Sequence, residues 1–341
     1  MLRRQAWWIF LLLLVVGCKR PIKVVTDSRV TAFLPNAHSN GPVRPMTVSA
    51  GNPNQRKIAL IDVDGLLVNQ VMTGMSSEGE NPIALFREKL DHVAKSPCYA
   101  GVVIRINSPG GGVTASDVIW HDLRAFKAQT RLPVVACLMD VGAGGAYYMA
   151  TAADHVVAHP TTITGGIGVV LNLYNLEDAM QYFQIIPTTV KAGENIDVGS
   201  VIRPQTPEGR EILQTMANEF HERFRKVVLL SRPQLVDAPA DVFDGRVFTA
   251  YQALKLKMID SIGYLDDAVN VASELGGAPG AQLVAFHRVH DKAYTPYDVT
   301  PNVPIQTTFM PFSVPGLERT KLPTFLYLWQ PDPTYERLSG K

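Results

Sequence analysis

Between residues 57 and 275 the apolar positions keep two rhythms in turn, one of strand length and one of helical spacing. Lys57 to Val63 is a compact apolar run ending at Asp64-Gly65, and 101–106, Pro133 to Met139 and His155 to Ala158 are three more. Runs this short, rich in Val and Ile and bounded by Gly or Pro, predict strands. Elsewhere apolar residues recur every three or four positions. Ile83, Leu85, Phe86, Leu90 and Val93 predict a helix over 82–95, and Val118, Ile119, Leu123 and Phe126 one over 116–129. Pro207-Glu208-Gly209-Arg210 opens the longest helix, to about residue 230, with Ile212, Leu213, Met216, Phe220, Phe224, Val227 and Val228 as its stripe. Shorter helices are expected over 146–154, 176–183, 249–257 and 266–275. Strands alternating with helices predict an α/β fold built on a parallel sheet.

The breaks between these segments are rich in glycine. The strand at 101–106 breaks into Asn107-Ser108-Pro109-Gly110-Gly111-Gly112, the next into Gly142-Ala143-Gly144-Gly145-Ala146-Tyr147-Tyr148, and the third leads to Thr164-Gly165-Gly166-Ile167-Gly168. In parallel sheets ligands sit beyond the carboxyl ends of the strands, where these loops fall. Successive glycines let backbone N–H groups approach a substrate closely and converge on a developing negative charge. The alternative is that they only make tight strand-to-helix turns; three in succession favour a site.

Charge excludes one class of partner. Lys plus Arg number 32 against 31 Asp plus Glu, and no basic stripe carries interleaved aromatics, so nucleic acid is not expected. The amino terminus reads as a targeting segment: Arg3 and Arg4 precede an uninterrupted apolar run from Trp7 to Val16. That run is short for a bilayer span, which takes roughly 20 residues. Leu14-Val15-Val16-Gly17-Cys18 resembles a bacterial lipobox, which implies cleavage before Cys18 and its acylation; an ordinary signal peptide or an uncleaved anchor are the alternatives. Each version places the domain outside the cytoplasm, on the extracytoplasmic face of a membrane in a bacterial cell envelope. Residues 19–56, with Pro21, Pro35, Pro42, Pro45 and Pro53, read as a flexible tether, 57–275 as the folded domain, and 276–341 as a proline-rich irregular tail. Cys98 and Cys137 lie in or beside apolar segments and are expected to be buried free thiols.

Seven motifs fall in the order and spacing of one family. They are Asn107 to Gly112, Tyr147-Tyr148, Thr151-Ala152-Ala153-Asp154, Thr164 to Val169, Lys191-Ala192-Gly193, Asp244-Gly245-Arg246-Val247-Phe248 and Ile262 to Ala268. Together they resemble the signal peptide peptidase A (SppA) family, peptidase family S49, over roughly residues 57–275. The resemblance implies the ClpP/crotonase-like fold, repeated ββα units with a helical extension. It also implies ring-shaped, membrane-tethered oligomers that cut leftover signal peptides with a serine nucleophile and a lysine base.

Two departures decide the chemistry. Anchored on Tyr147-Tyr148, the family's serine position is Gly144, and no Ser, Thr or Cys occurs from Asp140 to Ala150. Counted from Lys191 to Asp197, the lysine position is Ile196. Covalent catalysis needs a nucleophile and a base in hydrogen-bond reach, and neither glycine nor isoleucine supplies one. What the resemblance leaves is a binding apparatus: an oxyanion loop at Gly111 and Gly112 with the Gly145 N–H, and a groove along Gly165, Gly166 and Ile167 that would accept an extended peptide by strand addition. The reading is a non-hydrolytic peptide-binding or scaffolding lipoprotein, assembling as a homo-oligomeric ring or with an active relative. The alternatives are an active serine endopeptidase with an unrecognised nucleophile and a crotonase-like oxyanion-hole enzyme. Ser108 reads as a turn residue, Lys191 as a structural or solvated lysine, Asp140 as a turn residue, and His121, His155 and His159 as surface or packing residues. No metal-ligand spacing, phosphate loop or cofactor signature is present, so no cofactor is expected.

Overall fold

A computed structural model of the chain describes residues 41–71, 80–288, 291, 293–298 and 325–329. In chain order the elements are β1 (Arg44–Thr47), β2 (Lys57–Asp64), α1 (Pro82–Ala94), β3 (Tyr99–Ser108), β4 (Gly110–Gly112), α2 (Val113–Thr130), β5 (Val134–Ala143), α3 (Gly145–Ala150), β6 (His155–Ala158) and β7 (Ile163–Gly165). After these come α4 (Glu177–Tyr182), α5 (Pro207–Ser231), β8 (Val247–Thr249), α6 (Ala250–Lys255), β9 (Ser261–Ile262), α7 (Leu265–Leu275), β10 (Leu283–His287) and β11 (Leu326–Leu328).

The expected helices and strands form within a few residues of their predicted bounds, and their ends carry the chemistry that sets them. Asn81 caps α1 by accepting the Ile83 N–H at 3.0 Å, with Pro82 at the first helical position. Thr206 and Pro207 do the same for α5, and Thr249 forms a capping box with Gln252 on α6.

The main sheet runs β1-β10-β2-β3-β5-β6-β9, parallel throughout except for β1. β3 is buried along nearly its whole length, as a central parallel strand must be, because helices cover both faces. Val102, Ile104 and Ile106 face one core, shared with Leu85, Leu90, Ile119 and Leu123 of α1 and α2. Val103, Val135, Cys137 and Val157 face the other, under Leu265, Ala268 and Ala272 of α7. This is the α/β, ClpP/crotonase-like architecture that the resemblance implied.

β5 forks. Its residues 135–138 pair with β6, and 141–143 pair with β7, which continues antiparallel to β8. The β3–β5 register breaks between Ile106 and Ser108, next to the fork. The carboxyl ends of β3, β5 and β7 thus lie side by side, Ser108 opposite Gly142 and Ala143 opposite Gly165.

Three readings need correction. The tether ending at 56 and the irregular tail from 276 both contain strand: β1 pairs with β10, β10 enters the sheet beside β2, and β11 pairs with β4. β1 is short and holds Pro45, which suits an edge strand and hides it from a pattern search. Cys98 is exposed, because it lies in the turn before β3 with its Sγ against Ser96 Oγ. Cys137 is buried as expected, and burial pushes its thiol up to about 12, opposed only in part by Arg105. In a native Cys18→Ser chain, a thiol reagent is therefore expected to titrate Cys98 within minutes and Cys137 only after denaturation. Fast reaction of both thiols would contradict the packing of β5.

Candidate functional site

The turn after β5 depends on a glycine in the left-handed region. Gly144 takes φ 55° and ψ −125°, where a residue with a side chain is strained by about 1–3 kcal/mol. Its N–H donates to the Gly165 carbonyl at 2.9 Å, and Gly145 then opens α3. A β-carbon on Gly166 would lie 3.1 Å from the Gly144 nitrogen. Gly144, Gly145, Gly165 and Gly166 are thus gathered at one place. Ile167 is buried beside them, with its carbonyl 3.1 Å from His221 Nε2 on α5.

Ser116, on the first turn of α2, also reaches this place. A β-carbon on Gly145 would meet its Oγ at 2.0 Å. That hydroxyl donates to the Gly112 carbonyl four residues back at 2.9 Å, a bond typical of serines inside helices. Sequence reasoning passed over Ser116 because only the fold carries it next to Gly145.

β4 is held along both edges. On one, the Leu67 N–H donates to the Gly110 carbonyl at 2.9 Å, and the Gly112 N–H donates to the Leu67 carbonyl at 2.8 Å. The Gly112 amide, expected to face the site, is therefore engaged with Leu67. On the other edge lies β11, antiparallel, with Tyr327 opposite Gly111. The Val113 N–H donates to the Phe325 carbonyl at 3.3 Å, and the Trp329 N–H to the Pro109 carbonyl at 3.0 Å. Bonded pairs alternate along an antiparallel ladder, so Gly111 and Tyr327 are the bonded pair between those two. A β-carbon on Gly111 would sit 2.1 Å from the Leu67 carbonyl oxygen, so only glycine lets the chain pass here.

The far edge of β11 is paired as well. Val170 and Leu326 exchange both of their backbone bonds at 2.9 Å. Residues 325–329 therefore run as an added strand between β4 and Val170, in the groove where an extended peptide was expected. The Tyr327 carbonyl oxygen points at the glycine turns: β-carbons on Gly110 and Gly144 would lie 2.0 and 2.4 Å from it.

Alternation along β11 sends its side chains to two pockets. Tyr327 is fully buried, stacked on Tyr148 of α3 with ring centroids 5.3 Å apart and 4.6 Å from the ring of Phe224. Its hydroxyl donates to the Phe220 carbonyl at 2.6 Å, and Phe325 meets the Phe220 ring edge-on. Leu328 turns the other way, into a cavity of about 300 Å³ lined also by Gly166, Val169, His221, Asp244 and Gly245. The Tyr148 hydroxyl donates to Asp117, which Arg223 holds at 2.6 Å. Burial pushes the hydroxyls of both tyrosines well above the ordinary phenol range, reinforced at Tyr148 by its bond to Asp117, so both remain neutral donors.

The position of the expected base lies elsewhere. Ile196 is 74% exposed, on a segment where Lys191 Nζ donates to the Glu194 carbonyl and to Asp197 at 2.7 Å. The Lys191 bond holds Asp197 below the usual carboxylate range. Among the described residues, neither Ile196 nor Lys191 joins the contacts around Gly144. Ser108 is buried and accepts the Gly110 N–H, a turn role; Asp140 is exposed but lies inside β5, between the stretches that pair with β6 and β7, and not in a turn as expected. His121 is exposed beside Asp122, His155 bonds Ser261, and His159 bonds Thr161, so these three serve the surface and packing. Cys18 lies outside the described residues. Among the described residues no cluster of His, Cys, Asp or Glu is placed to hold a metal, and no helix is long and apolar enough to cross a membrane.

The chain is similar to known proteins. The model of peptidase family S49 matches residues 126–278. The "Serine protease SPPA, chloroplastic" of Arabidopsis thaliana is 35% identical over 225 residues, covering 65% of this chain but only 33% of its own length. "Putative protease slr0021" of Synechocystis sp. is 32% identical over 223 residues, 65% of this chain and 76% of its own. Among solved structures, a mutant form of a "1510-N membrane-bound stomatin-specific protease" aligns with 64% of this chain and 85% of its own, at 14% identity and a TM-score of 0.40.

Proposed function

We propose that this chain, which belongs to peptidase family S49, is an SppA-like, membrane-tethered peptide binder that has lost the family's hydrolytic chemistry. One observation carries the proposal. Gly144, to which the resemblance assigns the family's serine, has a backbone conformation suited to glycine, with the carbonyl of an extended strand lying against it. Binding by strand addition needs only backbone edges and side-chain pockets, and both are present around residues 325–329. Hydrolysis needs an attacking atom and a base, and Gly144 and Ile196, the two positions that the resemblance assigns to them, offer neither.

The remaining parts of the proposal have their own supports. The apolar run at Trp7 to Val16 followed by Cys18 supports a lipid anchor and an extracytoplasmic address. Tyr182, Phe183, Ile186, Val190 and Ile196 are largely exposed, Val190 at 99%, and an apolar surface of this kind supports assembly into a ring or with a relative.

The test is fluorophosphonate labelling and peptide hydrolysis with the purified chain. Neither labelling nor cleavage is expected, beside an active S49 peptidase as the positive control. Labelling would overturn the proposal in favour of an active serine peptidase. The mapped residue would then be expected to be Ser116, the serine whose hydroxyl abuts Gly145.

A further inference from the structure

We infer that residues 325–329 are a built-in occupant of the peptide groove, a self-inhibiting strand that an incoming peptide must displace. The same strand names the chemistry of that peptide: extended, with an aromatic, hydroxyl-bearing side chain at the place of Tyr327. The inference rests on the peptide-binding reading given above and adds its regulation and its preferred ligand.

Three features distinguish this strand from ordinary framework. β11 is not part of the main sheet; it pairs with three glycines at the mouth of the site and with a single bridge at Val170. Its bonds to Val113, Pro109 and Val170 are made by backbone on both sides, so any extended peptide can make them equally well. Its one fully buried side chain fills a pocket with a polar end, since Tyr148 and Phe224 flank the ring and the Phe220 carbonyl takes the hydroxyl proton. A phenylalanine there would leave that buried carbonyl without its donor.

The glycine at 144 belongs to the same device. A β-carbon at that position would stand 2.4 Å from the Tyr327 carbonyl oxygen, well inside contact distance. A side chain at 144 and a strand in this register exclude each other. The loss of the nucleophile is thus what lets the chain's own strand lie flat against the turn.

The experiment measures binding of a fluorescein-labelled peptide of residues 323–331 by fluorescence anisotropy. It compares the full chain, a Tyr327→Ala chain and a chain ending at Lys321. If the resident strand leaves the groove open a tenth of the time, the full chain binds about tenfold more weakly than either variant, and that ratio or a larger one is expected. A second peptide with alanine in place of Tyr327 is expected to lose about tenfold on the truncated chain, the effect of leaving the Tyr148–Phe224 pocket empty. Equal affinity of all three chains would overturn self-occupation and leave the peptide groove standing. No binding by either variant, each with native circular dichroism, would overturn the groove and this inference together. Should neither variant fold, amide exchange in the full chain decides: slow exchange at Val170 and Leu326 is expected, and unprotected amides there would refute a seated strand.

Discussion

Replacing Arg232 by methionine is expected to cost about 3 kcal/mol of stability at neutral pH, read as a lowered urea midpoint with an unchanged slope. Arg232 ends α5 and is nearly buried, and its guanidinium grips Asp260 with two bonds, the second at 2.7 Å. Asp260 in turn accepts the Val156 N–H at 2.8 Å, so the pair fastens the end of α5 to β6. Methionine fills the space but strands a carboxylate whose side chain is only 28% exposed, which places the loss at the low end for a broken buried pair. Burial alone would raise the Asp260 carboxyl, but the bond to Arg232, its charge and the Val156 N–H together hold it below the ordinary range. A depressed carboxyl contributes stability above its unfolded pKa of about 3.9, and that contribution fades as pH falls through the folded value. In the variant only the Val156 N–H and the charge of His155 still oppose burial, so the carboxyl rises and the protonated acid is favoured. The gap between the two proteins is therefore expected to be widest at neutral pH and to narrow below about pH 4. A gap independent of pH would mean that the cost comes from packing and not from the orphaned charge.

That loss would reach the site, because α5 also carries Phe220 and Phe224. These two residues close the pocket around Tyr327, and His221 between them touches Ile167. A loosened α5 is expected to lower the amide protection of Leu326 before the main sheet unfolds, since segments with few buried contacts open first.

Much of this was legible in the chain, and the limits have physical causes. The long helices and central strands show themselves through their apolar patterns, α5 by the face of Phe224, Val227 and Val228, β3 by Val102, Val103, Ile104 and Ile106 around a single Arg105. The glycine turns were legible too, since parallel strands deliver them to one edge of the sheet. What escaped were elements whose meaning depends on a distant partner. β1 is four residues with a proline, and only its pairing with β10 makes it a strand. β11 has its signal in Phe325-Leu326-Tyr327-Leu328-Trp329, an apolar run of strand length inside a proline-rich stretch. Nothing local says that this run lies against Gly110–Gly112, more than two hundred residues away in sequence. Gly112 was misjudged for the same reason: its amide belongs to Leu67, a contact that no motif records.

Gly144→Ser is expected to expel the resident strand rather than to restore catalysis. Two costs meet at this position. The backbone conformation, φ 55° with ψ −125°, strains a serine by about 1–3 kcal/mol. The new β-carbon also falls 2.4 Å from the Tyr327 carbonyl oxygen, a separation no relaxed contact reaches. The β5–α3 turn has little freedom to yield, since the Gly144 N–H is bonded to Gly165 and its carbonyl accepts the Tyr148 N–H at 2.9 Å. The strand is held by a few backbone bonds and one buried ring, so it is the part that moves. The expected result is loss of amide protection at Leu326 and Val170, with the β3 and β5 amides still protected. A fluorophosphonate should nevertheless fail to label the Gly144→Ser chain at an enzyme's rate, because the exposed Ile196 supplies no base to take the hydroxyl proton. Adding Ile196→Lys then separates two kinds of loss. Labelling of the double variant would mean that chemistry is absent only for want of two side chains and that the groove still aligns a substrate. Continued silence together with a protected Leu326 would mean that the strand outlasts the serine, and mutual exclusion at residue 144 would have to be abandoned.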